Sequence, residues 1–340
     1  MSPHRYHAFL TGGMGVALPT EGTWAMHVTT RMFNGLGTTN ILTVASDSPG
    51  QSGLLRQAER VVRSLDDAWS LFKPTSLVTR LNRDGRLAHA DADTLAVLAL
   101  AAACSRDTDG CFDITTTPAN ALWKQAIAGG AIPGSRELDA VLPLVDHTQV
   151  RVDGSTVTLG ACQQVDLGGI AKGYVLDRLQ DLLTQAGVRR AVINLGGSVR
   201  VIGRAQVQIR NPFCPVRDAN LAQVPAAPIV TLDVTDASVV TSGVYEQGLT
   251  TRQGTFHHIL DPRTCRPTGG DLRSVTLVGE RAGQLDAYAT AAFAMDLGAL
   301  LALIASHGIE AVLITQDGSV HATDTIKSHL RMGYHHERVA

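Results

Sequence analysis

Hydrophobic and polar positions along this chain follow two periods, and the shift from one to the other outlines the elements. Residues 23–32 and 38–46 are β-rich runs separated by Asn34-Gly35-Leu36-Gly37, which predicts a hairpin. Leu54, Leu55, Ala58, Val61, Val62, Leu65, Ala68 and Trp69 recur at helical spacing and predict a helix over 52–71. An Ala/Leu-rich helix over 92–105 and a helical stretch near 135–143 follow. Val150–Leu159 predicts a hairpin around Asp153-Gly154. Residues 170–186 predict a helix stopped by Gly187. Short β runs occupy 190–194, 199–203, 205–210, 229–235, 237–241, 256–260 and 273–279. A helical stretch over 283–306, broken near Gly298, precedes a hairpin over 309–323 that turns at Asp317-Gly318. Consecutive strands joined by short turns imply antiparallel pairing. The fold class expected is therefore α+β: mixed, largely antiparallel sheets with packed helices. We expect a flexible leader over 1–20, one domain over 21–323, and a polar tail over 324–340.

Composition narrows the classes. With 44% hydrophobic and 18% charged residues in 340, the chain can bury a sizeable core and is not disordered overall. Lys plus Arg (29) nearly cancels Asp plus Glu (31), so no nucleic-acid partner is expected. No apolar run reaches the roughly 18 residues of a membrane span. Five cysteines without metal-ligand spacing point to small core residues in a reducing compartment. The N-terminus shows neither a signal-peptide pattern nor a lipoprotein cysteine, which gives a cytoplasmic expectation unless a signal has been removed. Nothing in the pattern specifies an oligomeric state.

Five segments carry candidate chemistry. In Val165–Tyr174, Asp166 ends a strand, Gly168-Gly169 turn sharply, and a helix begins near Ile170. Free N–H groups at a helix start bind anions. Lys172 is electrostatically misplaced in a first turn unless a phosphate docks there; the alternative is a solvated lysine at a plain strand–helix joint. Asn194-Leu195-Gly196-Gly197 places a Gly-Gly between strands, for close approach of a ligand or for a bulge. His257 and His258 alternate faces on one strand, so one of them can face a site. Asp286 and Thr290 lie one helical turn apart and offer oxygen ligands to a hard cation, or Asp286 simply caps its helix. Asp113 and Thr115–Thr117 form a polar island that lines a pocket or caps the next helix. The Rossmann and Walker A patterns are absent.

Taken in order, FDITTTP (112–118), DLGGIAKGY (166–174), NLGG (194–197), TSGVYE (241–246), HILDPRT (258–264) and DAYATAAF (286–293) resemble the ApbE family of FAD:protein FMN transferases. The likeness runs from about Gly22-Thr23 to residue 316, and Trp69–Asn82 matches a further family stretch ending S-R-L-N. It implies an ApbE-like, T-fold-like architecture. It also implies Mg²⁺-dependent cleavage of FAD, passage of FMN to a threonine of an acceptor protein, and release of AMP. By motif, the metal ligands would be Asp286, Thr290 and the main-chain carbonyl of Ala171, with Lys172 near the pyrophosphate. His258 would take the threonine proton. Asp113, Thr115, Asp166, Gly168, Gly169, Asn194, Gly196, Gly197, Thr241, Ser242 and Gly243 would line the FAD pocket.

The chain departs from the family pattern at several positions. Leu77, Ser198 and Val244 stand where the family has acidic residues, Gln247 where it has a basic one, and Cys265 where it has glycine. An FAD pyrophosphatase that passes FMN to water, or a non-catalytic FAD-binding protein, are the alternatives. Family members often work outside the cytoplasm.

Overall fold

The computed structural model describes residues 7–11, 14–18, 27–214, 228–244, 248–251, 254–257 and 259–332. Its centre is an eight-stranded sheet in which every pairing is antiparallel. The strands run across it in the order Val320–Ala322, Glu310–Thr315, Leu272–Gly279, Ser238–Gly243, Ser198–Ile202, Ala191–Leu195, Thr38–Ser46 and His27–Gly35.

The central strands are apolar on both faces, and the two-residue period sorts their side chains into two cores. Ala191, Ile193, Leu195, Val240, Val275, Leu277, Ala311 and Leu313 face the helical layer. Val192, Val199, Val201, Val239, Val312 and Ile314 face a second sheet. That sheet contains Arg204–Arg210, Pro228–Thr235 and Leu330–Met332, and its Val207, Ile209, Val230 and Leu232 complete the second core. The result is three layers: helices, sheet, sheet.

Helix α1 (Ser52–Trp69) buries Leu55, Ala58, Val62, Leu65 and Trp69 in the helical layer. Helix α2 (Leu77–Asp84) starts at Ser76, whose Oγ accepts the Thr79 N–H at 2.9 Å, and stops at Gly85, φ +65°. Helix α3 (Ala92–Asp107) is capped by Asp91 in the same way. Helices α4 (Thr117–Ala128) and α5 (Ser135–Val141) form a satellite core, in which Trp123 and Leu138 pack with Leu260 and Cys265. Helices α6 (Ala171–Gln185), α7 (Ala282–Ala291), α8 (Leu297–Ser306) and the short α9 (Asp324–Lys327) complete the set.

Several expectations shift. His7–Thr11 and Met14–Leu18 are paired strands, and the second also pairs with Arg204–Arg210, so these parts of the expected leader belong to the second sheet. Residues 324–332 of the expected tail form α9 and the edge strand Leu330–Met332. The helix expected over 283–306 breaks before Gly298: Asp296 Oδ1 accepts the Gly298 N–H at 2.8 Å and starts α8 anew. The β run at 256–260 divides between Gly254–His257 and Leu260–Asp261, each with its own partner strand. Among the described residues no helix is long and apolar enough to cross a membrane.

Candidate active site

Three of the sequence motifs meet where α6 crosses α7. The crossing depends on Gly173. A Cβ there would lie 2.2 Å from the carbonyl oxygen of Ala282 and 2.7 Å from the Asp286 Cβ, so only glycine lets the helices approach this closely. Asp286 is one turn inside α7 and does not cap its own helix. Its Oδ2 instead accepts the Gly173 N–H at 2.9 Å, at the start of α6. That is an anion on the positive end of a helix. Oδ1 takes no hydrogen bond from the described residues. Burial pushes the carboxyl pKa up, while Lys172 and the Gly173 N–H pull it back.

Thr290 lies one turn further along α7, and its Oγ1 donates to the Asp286 carbonyl at 3.1 Å. It faces Gly169: a Cβ on Gly169 would sit 3.6 Å from Thr290 Oγ1 and 3.3 Å from the Phe112 ring. The Asp166–Lys172 segment thus lies against α7 on one side and the Phe112–Pro118 segment on the other. Asp166 lies outside any strand. Its N–H donates to Ile114 at 2.8 Å, and its Oδ1 accepts the Gly168 N–H at 2.8 Å. Asn82 closes the approach from α2 by bonding both the N–H and the carbonyl of Val165 at 2.8 Å.

Asp113 is turned inward. Oδ1 accepts the Thr115 N–H and hydroxyl at 2.7 and 2.6 Å, and Oδ2 accepts the His147 N–H at 2.9 Å. Thr115 Oγ1 in turn accepts the Asp146 N–H at 2.9 Å. The His147 Nδ1 lies 3.4 Å from Asp113 Oδ2, and that carboxylate raises the histidine pKa against the opposing effect of burial. His147 carries no sequence motif and escaped the sequence reading.

Gly196 and Gly197 form a two-residue hairpin turn between Leu195 and Ser198, not a bulge. Gly196 and Gly197 have φ +61° and +105°, the signature of a type I′ turn, and Asn194 Oδ1 accepts the Gly197 N–H at 2.9 Å. The closest neighbour of Gly196 is Thr38, whose Oγ1 would lie 2.4 Å from an added Cβ. Thr241, Ser242 and Gly243 end a strand that packs beside α7, where Thr241 Oγ1 shares a 2.7 Å hydrogen bond with Thr276. His258 and Gln247 lie outside the described residues. Leu77 packs on the core, and Val244 and Ser198 are buried.

The family model for the ApbE family matches residues 36–313. This chain belongs to the ApbE family. The FAD:protein FMN transferase of Klebsiella pneumoniae (strain 342) is 32% identical over 224 residues, which is 65% of this chain and 68% of that protein. The FAD:protein FMN transferase of Treponema pallidum (strain Nichols) is 28% identical over 303 residues, 82% and 84% of the two chains. The crystal structure of the ApbE protein of Thermotoga maritima superposes with a TM-score of 0.77 at 25% identity, over 90% of this chain and 100% of that one. The flavin transferase ApbE of Vibrio cholerae gives 0.71 at 23% identity, over 89% and 99%. These structures share the α+β fold described above. Cys265 holds φ +54°, the left-handed region that glycine favours.

Among the described residues no three His, Cys, Asp or Glu side chains gather as a metal cluster. The side-chain donors seen at the crossing are the Asp286 carboxylate and the Thr290 hydroxyl. An all-oxygen set suits a hard cation and not zinc or copper.

Proposed function

We propose that this chain is an FAD:protein FMN transferase, which moves FMN from FAD to a threonine hydroxyl of an acceptor flavoprotein and releases AMP in a Mg²⁺-dependent reaction. The observation that carries the proposal is the α6–α7 crossing, where a buried carboxylate with one uncommitted oxygen, a hydroxyl and a helix N-terminus bearing Lys172 converge. The names of the relatives supply the reaction class.

Asp286, Thr290 and the Ala171 carbonyl would hold the ion. Bound there, Mg²⁺ would neutralise the pyrophosphate and make AMP a better leaving group. Lys172 would offer positive charge to the phosphates at the start of α6, where the Ala171 and Gly173 N–H groups are already bonded to Leu167 and Asp286. Asp113, Thr115, Asp166, Gly168, Gly169, Asn194, Gly196, Gly197, Thr241, Ser242 and Gly243 are assigned to the FAD pocket. Asp113 and Thr115 act there by fixing the backbone, since their oxygens bind one another and the Asp146–His147 amides. His258 accepts the acceptor threonine proton as the hydroxyl oxygen attacks the FMN phosphorus. The new P–O bond forms, the bridging P–O bond breaks, and the bridging oxygen leaves with AMP. A neutral hydroxyl is a weak nucleophile, so base and positioning must act together.

The test is incubation with FAD and a threonine-bearing acceptor, with and without Mg²⁺, followed by intact mass of the acceptor and AMP release. An acceptor gaining one FMN for each AMP formed supports the transferase. AMP with only free FMN makes the enzyme a pyrophosphatase, and no AMP makes it a binding protein.

A further inference from the structure

Neither α6 nor α7 carries a capping side chain of its own. Ile170 and Arg281 stand at their N-cap positions, and neither side chain hydrogen-bonds the helix start. Each helix draws its capping carboxylate from the other. Asp286, on α7, accepts the Gly173 N–H of α6. Asp177, on α6, accepts the N–H groups of Ala282 and Gly283 of α7 at 2.8 and 3.0 Å, one with each oxygen. The exchange is possible because both faces are glycine. A Cβ on Gly173 would strike Ala282, and one on Gly283 would lie 2.7 Å from Leu100 and 3.3 Å from both the Tyr174 nitrogen and Asp177 Oδ2. The two caps therefore share one rigid joint. Asp177 fixes where α7 begins relative to α6, and Asp286 sits one turn later on the helix so fixed.

We propose that Asp177 is a positioning residue for the cation site, setting the distance between the Asp286 carboxylate on α7 and the Ala171 carbonyl on α6. The proposal rests on the reading of Asp286, Thr290 and Ala171 as ligands. Asp177 touches neither FAD nor the ion in this account; it acts through the start of α7. Its carboxylate is suited to the task because it has two acceptor oxygens for two adjacent donors. An asparagine offers one acceptor and turns an N–H₂ towards the second amide, leaving that donor without a partner.

The experiment titrates Mn²⁺ into the full-length protein without FAD, following free Mn²⁺ by electron paramagnetic resonance, for wild type, Asp177→Asn, Asp286→Ala and Asp296→Ala. The last removes a cap that also accepts two amides, those of Gly298 and Ala299, beyond the end of α7. Residues that orient ligands from behind typically change metal affinity about 10–100-fold. That loss is expected for Asp177→Asn, with near-complete loss for Asp286→Ala and wild-type affinity for Asp296→Ala despite its lower stability. Asp177→Asn binding Mn²⁺ within twofold of wild type overturns the proposal whatever its melting temperature, while leaving the ligand assignment intact. A wild type that binds no better than Asp286→Ala overturns the ligand assignment and the proposal together. Should Asp177→Asn fail to fold, hydrogen exchange of the wild type decides. Mn²⁺ must slow exchange of the Ala282 and Gly283 amides along with Gly173, because coupling through one joint is reciprocal. Unchanged exchange at Ala282 and Gly283 overturns the proposal.

Discussion

Gly173→Ala adds one methyl group, yet it strikes the α6–α7 crossing directly. The new Cβ would lie 2.2 Å from the Ala282 carbonyl oxygen and 2.7 Å from the Asp286 Cβ, where ordinary contact begins at 3.4 Å. Both obstacles belong to α7, one to its backbone and one to the root of a side chain, so no rotamer change relieves them. The helices must part by about 1 Å, the shortfall at Ala282. Alanine gains at most about 1 kcal/mol of helix propensity over glycine. Overpacking a tight contact costs about 1–3 kcal/mol, and here it also stretches the 2.9 Å bond from Gly173 to Asp286. The net loss is about 1–2 kcal/mol, a fall of about 1–3 °C in Tm for a chain of 340 residues. Activity falls further than stability. A displacement of about 1 Å at reacting groups costs about 100-fold in rate. The assay pairs calorimetry with Mg²⁺-dependent AMP release at a temperature where the variant is fully folded. A variant with unchanged Tm and unchanged AMP release would refute the close-crossing argument.

Other consequences follow from the same geometry. Asp113 raises the His147 pKa, so the ion pair stabilises the fold below the ordinary histidine value of about 6.5, and this contribution is lost as pH rises through the raised value. His147→Gln is therefore expected to flatten the fall of Tm as pH rises above the ordinary histidine value of about 6.5, and an unchanged slope would contradict the pair. Gly196→Ala forces a side chain onto φ +61° against Thr38, and denaturant titration should show a loss of more than about 1 kcal/mol. Burial pushes the thiols of Cys265 and Cys104 up to about 11 and about 12, whereas Cys162 is exposed. A thiol reagent at pH 8 should modify Cys162 in the native protein and reach the other two only after unfolding, as peptide mass mapping would show.

The elements legible in the sequence were those whose determinants are local. The 52–71 periodicity yields α1, and Gly187, at φ +75°, ends α6 as a glycine C-terminus should. Asp286 and Thr290 were legible as a pair because four residues on a helix make one face. What Asp286 does with its second oxygen was not, because its partner Gly173 is 113 residues away. Asp177 and His147 stayed hidden for the same reason. Asp177 meets amides 105 and 106 residues on, and His147 meets Asp113 from a one-turn 3-10 helix, His147–Gln149, too short to show a period. His7–Thr11 and Met14–Leu18 are short runs, and Met14–Leu18 finds its other partner strand only at Arg204–Arg210. The helical break expected near Gly298 lies at residues 292–296, and Asp296, as an N-cap, rather than the glycine sets its far side.

The most direct test of the central claim compares wild type with Asp286→Ala, in FAD, Mg²⁺ and a threonine-bearing acceptor, by counting FMN attached and AMP released. A hard cation supplies several kcal/mol to charge stabilisation in phosphoryl-type transfer, so removing its buried carboxylate is predicted to slow both products on the order of a thousandfold together. An Asp286→Ala enzyme that still flavinylates the acceptor at the wild-type rate would contradict the assignment of the α6–α7 crossing as the active site.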